Sequence, residues 1–538
     1  MLPVLPSARA AARSFLTLSL LVCAAAAAEE PPSTAATADL AGDLPTLAAV
    51  RASYQAGDFL QTVLRAPALV SRGEDTSELR GYWATALVRL GQLDSARTVA
   101  AEGRAKFPDD ALSQLTMARV HLAFAEFNDA GQALYDAVKR EPTLAAAHLE
   151  LARLYEAERR MATAKRHYRI AFELHPTDPA TVLAWSRTVT DPAYQLSLLQ
   201  KYLELVGSSD DDDSTVAVAS TIDVLRKIGD GGRCTLRGGP RQTALKLQHI
   251  RPGPGDPNRF ALKISVNGKS ELRTLVDTGA SGVIVSESYA RGAGLESLGR
   301  TWILGLGKEG RREGYFARAR TLAAQDLVYE DCVVEVVPDE VFENHTTQAV
   351  MGLDGLYRDF VITFDFTRSQ LGLSPLPALP GAAEGRPDTF SYDRDVSALP
   401  PGFYPARVFG KDFLVPVLLN ESQQAYFLID SGASTTVIAK RAAQDAGGVR
   451  PSNLQMYGLS GQIEEVWTAP PLVLNVLGLA QRYQGMVAID LDRHAARSGI
   501  GIDGLLGYSF LEHSVLTLDD RNGLVSVDLG RVVRRPSR

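Results

Sequence analysis

Small and apolar residues recur at a fixed interval along the N-terminal part of the chain. Three sets of residues are each spaced 34 positions apart: Pro108, Pro142 and Pro176; Ala96, Ala130 and Ala164; and Ala84, Ala118 and Ala152. Large apolar residues keep the same step at Phe59, Leu93, Phe127 and Met161. Small side chains let paired helices approach closely, and proline does not continue a helix. The pattern predicts stacked helix pairs over residues 45–206, with a degenerate first copy near Pro45.

This period resembles that of the tetratricopeptide repeats. The resemblance implies an all-α solenoid in which each helix pair buries its remaining apolar face on the next pair. Such a stack is curved and has a concave surface. We interpret this surface as a docking platform for a peptide or a partner protein, in preference to a spacer or an intramolecular brace.

The pattern changes after the repeats. The stretch GSSDDDDST, from Gly207 to Thr215, is polar and like-charged, so residues 207–244 are predicted to be a linker. A second predicted linker, 377–401, lies in a stretch rich in proline and glycine. Between and beyond these linkers, short apolar runs and alternation such as FALKISVNGK predict β-strands. The C-terminal half is therefore predicted to be all-β, in two segments over 245–376 and 402–530.

Composition and charge narrow the class of protein. The 538 residues are 45% hydrophobic and 22% charged, which is ordinary for a folded globular chain. The net charge of -7 provides no basic stripe that would neutralise phosphates, so a nucleic-acid partner is not expected.

The first residues have the features of an export signal. Arg9 and Arg13 precede the apolar stretch SFLTLSLLVCAAAAA, and small residues offer a cleavage site before Glu29. Residues 1–28 are therefore predicted to be a signal peptide, and the protein to be periplasmic or extracellular, with lipid anchoring at Cys23 as the minor alternative. No other segment is a membrane-span candidate. In an oxidising compartment Cys234 and Cys332 could form a disulfide, with two separate buried thiols as the alternative.

Two related motifs in the β-rich half carry the candidate chemistry. LVDTGASGVIV contains Asp277, and FLIDSGASTTVIA contains Asp430. Either motif alone is typical of a turn after a strand. Each is followed by an apolar-apolar-glycine motif, and Gly352 follows the first aspartate at nearly the same separation as Gly507 follows the second. Two lobes of one design are therefore predicted to follow each other along the chain.

Together these motifs resemble the retropepsin-like aspartic proteases, in their secreted bacterial form. The resemblance implies a bilobal fold in which each lobe contributes one catalytic aspartate, so that a single chain forms an intramolecular pseudo-dimer and is a monomer. By the same resemblance, Thr278 and Ser431 brace the two active-site loops through their hydroxyls, and Gly279 and Gly432 let the backbone approach the carboxylates. Ala280 and Ala433 complete the two supporting loops.

The expected activity is that of an aspartic endopeptidase acting on a polypeptide substrate. Two close carboxylates share one proton, so one acts as a base toward water and the other as an acid toward the peptide carbonyl. The mechanism needs no cofactor and no metal ion. The alternative is a non-catalytic periplasmic peptide-binding or scaffold protein that uses the repeats and a degenerate protease fold.

Two segments are candidates for a hairpin over the cleft, WILGLGKEGRREGYF in the first lobe and MYGLSGQIEEVW, with Tyr457, in the second. The first contains a formal G-x-G-x-x-G from Gly305 to Gly310, but a dinucleotide site requires a helix to follow it. We therefore predict a hairpin there.

Overall fold

The structure is a computed structural model. It describes residues 45–207, 213–228, 233–238, 242–250, 259–304, 311–342, 347–354, 360–376, 389–395, 397, 399–458, 461–463 and 465–529. The predicted signal peptide with Cys23, most of the Asp210–Asp213 run and the glycines from Gly305 to Gly310 lie outside these ranges.

The N-terminal region is a stack of helix pairs, as predicted. Its helices are α1 (Leu47–Gln55), α2 (Phe59–Ser71), α3 (Ser77–Arg89), α4 (Leu93–Lys106), α5 (Ala111–Ala123), α6 (Phe127–Arg140), α7 (Ala145–Ala157), α8 (Met161–Leu174), α9 (Pro179–Ser186) and α10 (Pro192–Val206). The first helices of three pairs, α3, α5 and α7, start at the interval seen in the sequence, as do their partners α4, α6 and α8. Ala84, Ala118, Ala130 and Ala152 are fully buried where helices cross. The period was therefore correctly interpreted as a tetratricopeptide-like solenoid.

The segment 207–244, predicted as a linker, contains ordered elements. Helix α11 (Asp213–Ile228) extends the stack, because Val218, Ile222 and Leu225 pack against Leu198 and other apolar residues of α9 and α10. Strand β1 (Arg233–Gly238) pairs with the first lobe. The acidic run is followed by apolar residues spaced four and three apart, Val218, Ile222 and Leu225, which is the spacing of one helix face.

The segment 377–401 was also predicted as a linker, and part of it is bound to the repeats. Thr163 on α8 donates a side-chain hydrogen bond of 2.7 Å to Asp393, and the N–H of Ala162 donates to the carbonyl of Tyr392 at 3.1 Å. The N–H of Arg394 donates to the carbonyl of Arg159 at 3.2 Å. These contacts fix residues 392–394 on the solenoid.

The first β lobe is built on a nine-stranded sheet, in the order β1-β9-β6-β10-β5-β4-β8-β7 with β3 paired to β4. Its strands are β3 (Gln248–Ile250), β4 (Arg259–Val266), β5 (Leu272–Val276), β6 (Val283–Ser286), β7 (Glu296–Leu304), β8 (Arg311–Ala324), β9 (Leu327–Val337) and β10 (Ala349–Met351). Helix α12 (Glu287–Gly292) follows β6. The disulfide between Cys234 and Cys332 joins β1 to β9.

The second lobe repeats this design in a ten-stranded sheet, in the order β18-β21-β24-β17-β25-β16-β15-β22-β23 with β14 paired to β15. Its strands are β14 (Arg407–Phe409), β15 (Asp412–Leu419), β16 (Gln423–Ile429), β17 (Val437–Ala439), β18 (Arg450–Ser452), β21 (Val466–Thr468), β22 (Leu472–Val476), β23 (Leu479–Tyr483), β24 (Val487–Ile489) and β25 (Gly504–Leu506). A separate hairpin pairs β19 (Met456–Gly458) with β20 (Gly461–Ile463). The helices are α13 (Lys440–Asp445), α14 (Asp492–Ser498) and α15 (Tyr508–Leu511).

A third sheet is shared by the two lobes. Its order is β13-β27-β26-β11-β12-β2, from β2 (Thr243–Lys246), β11 (Phe360–Asp365), β12 (Gln370–Pro375), β13 (Tyr404–Pro405), β26 (Ser514–Asp519) and β27 (Leu524–Leu529). Strand β11 of the first lobe pairs directly with β26 of the second, with Thr363 opposite Thr517. The all-α solenoid followed by an all-β bilobal region agrees with the predicted fold class. None of the described helices combines the length and apolar character needed to cross a membrane.

Candidate active site

Each candidate aspartate lies at the end of a buried strand. Asp277 follows β5 and Asp430 follows β16. In each lobe a second strand runs parallel to the first, β10 beside β5 and β25 beside β16. The N–H of Asp277 donates to the carbonyl of Met351 at 3.0 Å, and the N–H of Asp430 donates to that of Leu506 at 3.1 Å. The two lobes therefore hold their aspartates in the same way.

Gly352 follows β10 and Gly507 follows β25. At both positions the backbone lies too close to a neighbouring loop to leave room for a side chain. A Cβ at Gly352 would overlap the carbonyl oxygen of Ala280, and a Cβ at Gly507 would overlap that of Thr435. Both glycines therefore let the strand ends pack directly against the two Asp-(Thr/Ser)-Gly-Ala loops.

The residues after the aspartates join the two loops. The N–H of Ser431 donates to the Thr278 hydroxyl at 2.9 Å, and the N–H of Thr278 donates to the Ser431 hydroxyl at 3.0 Å. Each hydroxyl also donates across the lobes, from Thr278 to the carbonyl of Ile429 and from Ser431 to that of Val276. The loops are therefore cross-braced through the hydroxyls that the resemblance singled out.

The two carboxylates are buried and adjacent. Asp277 and Asp430 are both 0% exposed, and a Cβ at Gly432 of the second loop would overlap the carboxylate of Asp277. One oxygen of each carboxylate accepts backbone hydrogen bonds: Asp277 Oδ1 from the N–H of Gly279 at 2.8 Å, and Asp430 Oδ1 from those of Gly432 and Ala433 at 2.9 Å. The Oδ2 atoms of both aspartates have no hydrogen-bond partner among the described residues. These two buried oxygens are the atoms left to bind a water molecule or a substrate.

The electrostatics of the pair favour a shared proton. Burial raises the pKa of Asp430 well above its usual range, and the negative charge of Asp277 is the second-largest cause of this shift. Two carboxylates this close cannot both ionise at low cost, so they titrate as a pair.

Two buried cations belong to the site and were missed in the sequence. The Arg259 guanidinium, in the first lobe, donates to the carbonyl of Gly432 in the second lobe, and the Lys411 ammonium, in the second lobe, donates to the carbonyl of Gly279 in the first. Arg259 precedes Asp277 at nearly the same separation as Lys411 precedes Asp430, which is the one signal that the sequence contained. Both cations lower the pKa of Asp430, against the larger effect of burial.

Further buried acids surround Lys411. Burial raises the pKa of Asp412 to about 6 and that of Glu335 to about 7, and in both cases the Lys411 charge opposes the shift. The charge of Asp277 adds to the shift at Asp412. Asp412 Oδ1 and Glu335 Oε1 have no hydrogen-bond partner in the described part of the chain.

Both segments predicted as hairpins are antiparallel strand pairs. In the first lobe β7 pairs with β8, from Glu296 opposite Arg318 to Leu304 opposite Arg311, and the connecting glycine-rich residues lie outside the described ranges. A strand, not a helix, follows these glycines, which is contrary to a dinucleotide site. In the second lobe Tyr457 lies on β19, opposite Gln462, and its side chain lies outside the described part of the structure.

A group of potential metal ligands, among the described residues, lies at a turn of the repeats. It comprises His121, Glu126 and Asp129. Glu126 is already ion-paired with Arg97 at 2.7 Å, so the group is explained as part of an ion-pair network.

Two solved structures are similar to parts of this chain. An aspartic proteinase from Irpex lacteus is 12% identical, with 55% of this chain and 100% of that chain covered at a TM-score of 0.33. A thermophilic TPR protein from Thermus thermophilus is 20% identical, with 32% of this chain and 95% of that chain covered at a TM-score of 0.28. No curated protein matches the sequence.

The family comparison matches both lobes separately. Residues 262–355 and 415–510 each match the family described as aspartyl protease. The first match contains Asp277 and Gly352, and the second contains Asp430 and Gly507. Both β lobes of this chain therefore match the aspartyl protease family, each over the segment that contains its candidate aspartate.

Proposed function

We propose that the protein is an aspartic endopeptidase with Asp277 and Asp430 as its catalytic pair. The observation that carries this proposal is the pair of buried, adjacent carboxylates, each with an unpartnered Oδ2, in loops that are braced across the lobes. A buried carboxylate oxygen without a partner is costly, and such costs concentrate at functional sites.

The proposed reaction uses one proton held between the two carboxylates. The ionised aspartate takes a proton from a water molecule as the water oxygen adds to the peptide carbonyl carbon, while the protonated aspartate gives its proton to the carbonyl oxygen. The tetrahedral intermediate then loses its amine, which receives a proton from the pair as the C–N bond breaks, while one hydroxyl of the intermediate returns its proton to the pair and becomes the carbonyl of the new carboxyl group. No covalent enzyme adduct forms, and the pair returns to its starting protonation.

The alternative of a non-catalytic binding protein makes a different prediction about the two acids. A clamp that only binds peptides gains nothing from two adjacent buried carboxylates, whose mutual repulsion opposes folding. The presence of both acids, both hydroxyls and both loop glycines in this chain favours the enzyme.

The test is digestion of a peptide library by the mature chain, with and without a statine-type inhibitor. Asp277→Asn and Asp430→Asn should each lower kcat by about 10²- to 10⁴-fold or more, because one carboxylate cannot serve as both acid and base. Asp445→Asn, at an exposed acid on α13, is the control for a charge change in the second lobe.

One outcome would count against this proposal, and a second would count against the pairing of the two lobes within one chain. Peptide binding without cleavage by the wild-type protein would favour the alternative of a binding protein. Recovery of activity on mixing the two Asn variants, together with dimers in solution, would show that the lobes pair between molecules.

Export to the periplasm or the extracellular space is a further proposal. It is supported by the disulfide between Cys234 and Cys332, since such bonds persist in oxidising compartments.

Recruitment of a polypeptide substrate or a partner protein by the repeats stays a prediction. Its signature would be a raised KM for protein substrates, with short peptides unaffected, after changes to the repeat surface.

A further inference from the structure

The turns within successive helix pairs share one backbone conformation. Gly91, Ala125 and Arg159 occupy the same turn position in three successive repeats, with φ of 72°, 57° and 58°. Glycine adopts this left-handed conformation freely, whereas alanine and arginine are strained in it. Strained residues persist where their surroundings determine them. The turns at Ala125 and Arg159 are in contact with the second lobe.

Arg159 reaches from its turn into the second lobe. Its Nε donates to the carbonyl of Asp520 at 2.8 Å, and its Nη2 donates to the Asp520 carboxylate. A Cβ at Gly523 would come within 2.8 Å of the Arg159 side chain. The preceding residue, Glu158, is ion-paired with Arg407 at 3.1 Å. This turn is therefore held to the second lobe both by the hydrogen bonds of Arg159 and by the ion pair of the preceding residue, Glu158.

The turn at Ala125 fits against a glycine of the second lobe. The N–H of Gly501 donates to the carbonyl of Leu122 at 2.8 Å, and a Cβ on Gly501 would overlap the carbonyl oxygen of Ala123. Phe124 lies beneath two guanidinium groups, that of Arg97 at 3.6 Å and that of Arg441 of the second lobe at 4.5 Å. The lobe and the solenoid approach to backbone contact here.

Helix α14 of the second lobe lies against the first helices of the pairs. Ala495 is 1% exposed and belongs to the apolar cluster formed by α3, α4 and α5. Arg89, at the end of α3, donates to the carbonyl of Arg497 at 2.9 Å. Residues 492–501 of this chain therefore cover the part of the repeat surface formed by the ends of α3 and α5.

The segment 492–501, which covers this part of the repeats, leads directly to the candidate active site. Gly501 precedes β25, whose last residue, Leu506, accepts the hydrogen bond from the N–H of Asp430. Asp503 links β25 to β16: its N–H donates to the carbonyl of Tyr426 at 2.8 Å, and its carboxylate accepts from the N–H of Tyr426 at 2.9 Å. Tyr426 of β16 also packs edge-on against Phe127 of α6, with ring centroids 4.7 Å apart, so both strands that hold Asp430 lie next to the solenoid.

We propose that the repeats are an intramolecular scaffold that positions Asp430, with residues 492–501 of the same chain as the occupant of their surface. This inference rests on the proposed function, and it assigns the repeats a different role from recruitment. Gly501 and Arg159 are positioning residues. They act through β25 and β16 and do not touch the substrate.

The first test is Gly501→Ala in the full-length mature chain. The added methyl would push the second lobe away from the turn at Ala125, so kcat per inhibitor-titrated site should fall about tenfold or more, equally for protein and short-peptide substrates, with KM little changed. The matched control is Gly372→Ala, where the new Cβ would be at an ordinary 3.5 Å from Thr363. A raised KM for protein substrates alone would overturn the scaffold in favour of recruitment.

A second measurement does not depend on activity. Amide hydrogen exchange of residues 428–433 and 504–507 should become faster in Gly501→Ala and stay unchanged in Gly372→Ala. Unchanged exchange in Gly501→Ala would refute the scaffold even if the protein proved to be a protease. Faster exchange in Gly501→Ala, with a wild-type protein that shows no proteolysis, would support the scaffold while the proposed function failed.

Two substitutions to glycine test the proposed scaffold without adding side-chain volume at the contact between the repeats and the second lobe. Arg159→Gly and Ala125→Gly both relieve the left-handed backbone, but only Arg159→Gly removes bonds to the second lobe. Arg159→Gly should lower Tm and kcat, whereas Ala125→Gly should change both far less. Equal effects of the two, or a higher Tm for Arg159→Gly with full activity, would be contrary to the scaffold.

Discussion

Thr278 and Ser431 each accept the backbone N–H of the other across the two lobes, at 2.9 and 3.0 Å. Replacement of Ser431 by Ala would leave the N–H of Thr278 buried without an acceptor, at a cost of about 1–3 kcal/mol. We expect Ser431→Ala to lower the free energy of unfolding in urea by this amount and to reduce kcat. Ser431→Thr, which keeps the hydroxyl, is the control, and it should retain most of both. Equal stability of the Ala and Thr variants would show that the brace contributes nothing.

Lys411 should affect the pH dependence of catalysis. Its positive charge lowers the pKa of Asp430, so removal of the charge should raise that pKa further. In Lys411→Met the basic limb of kcat/KM, where the pair loses its shared proton, should therefore move to higher pH, and Lys411→Arg should move it less. Lys263→Met, at a partly exposed lysine paired with Glu271, is the control. A downward shift, or a shift no larger than in the control, would contradict the assigned role.

The alanines that follow Gly279 and Gly432 lead to a second prediction about the pH dependence of activity. Ala280 and Ala433 have no hydroxyl to stabilise an ionised aspartate, and burial already raises the pKa of Asp430. Hydrogen bonds to a carboxylate lower its pKa, so we expect a working range of about pH 5–7, with the Ala280→Ser/Ala433→Ser variant shifted to lower pH. Measured profiles of kcat/KM decide this. An optimum near pH ~3 in the wild-type protein would show that other groups dominate the titration.

Glu335 should make folding stability depend on pH. Burial raises its pKa to about 7, above its ordinary value, so the folded state holds its proton more tightly than the unfolded state does. Its contribution is therefore full at low pH and is lost as the pH rises through about 7. Glu335→Gln should raise Tm at pH 8 relative to the wild type and change it little at pH 4. Glu204→Gln on α10, an exposed site, should leave the pH dependence of Tm unchanged.

The disulfide should contribute strongly to stability. Cys234 and Cys332 are 98 residues apart in the chain, and closing a loop of about 100 residues can stabilise a fold by up to about 4–5 kcal/mol through the entropy of the unfolded state. Cys332→Ser paired with Cys234→Ser should lower Tm, and reduction of the wild-type protein should have the same effect. Intact-mass measurement of non-reduced mature protein should find no free thiol. Two free thiols would exclude the bond.

The sequence predicted the elements that depend on local patterns. The regular period identified the helix pairs, and the duplicated Asp-(Thr/Ser)-Gly-Ala motifs identified both candidate aspartates with their partner glycines. Arg259 and Lys411 were not found, because an isolated cation next to a strand is typical of a solvent-exposed residue until its cross-lobe contact is known. The contact of Gly501 with Leu122 was equally hidden, since it joins residues that only the packing of the two regions brings together.

The two halves of the candidate site are alike but not identical. In the first lobe the N–H of Gly282 donates to the carboxylate of Asp354 at 2.7 Å, whereas in the second lobe the N–H of Thr436 donates to the hydroxyl of Ser509 at 2.9 Å. The cross-lobe cations likewise differ, an arginine from one lobe and a lysine from the other. A site formed by two identical subunits must present the same groups to both ends of a bound peptide. Because this chain encodes each half separately, the proposed active site has a direction, and the amino and carboxyl sides of a bound peptide would meet different groups.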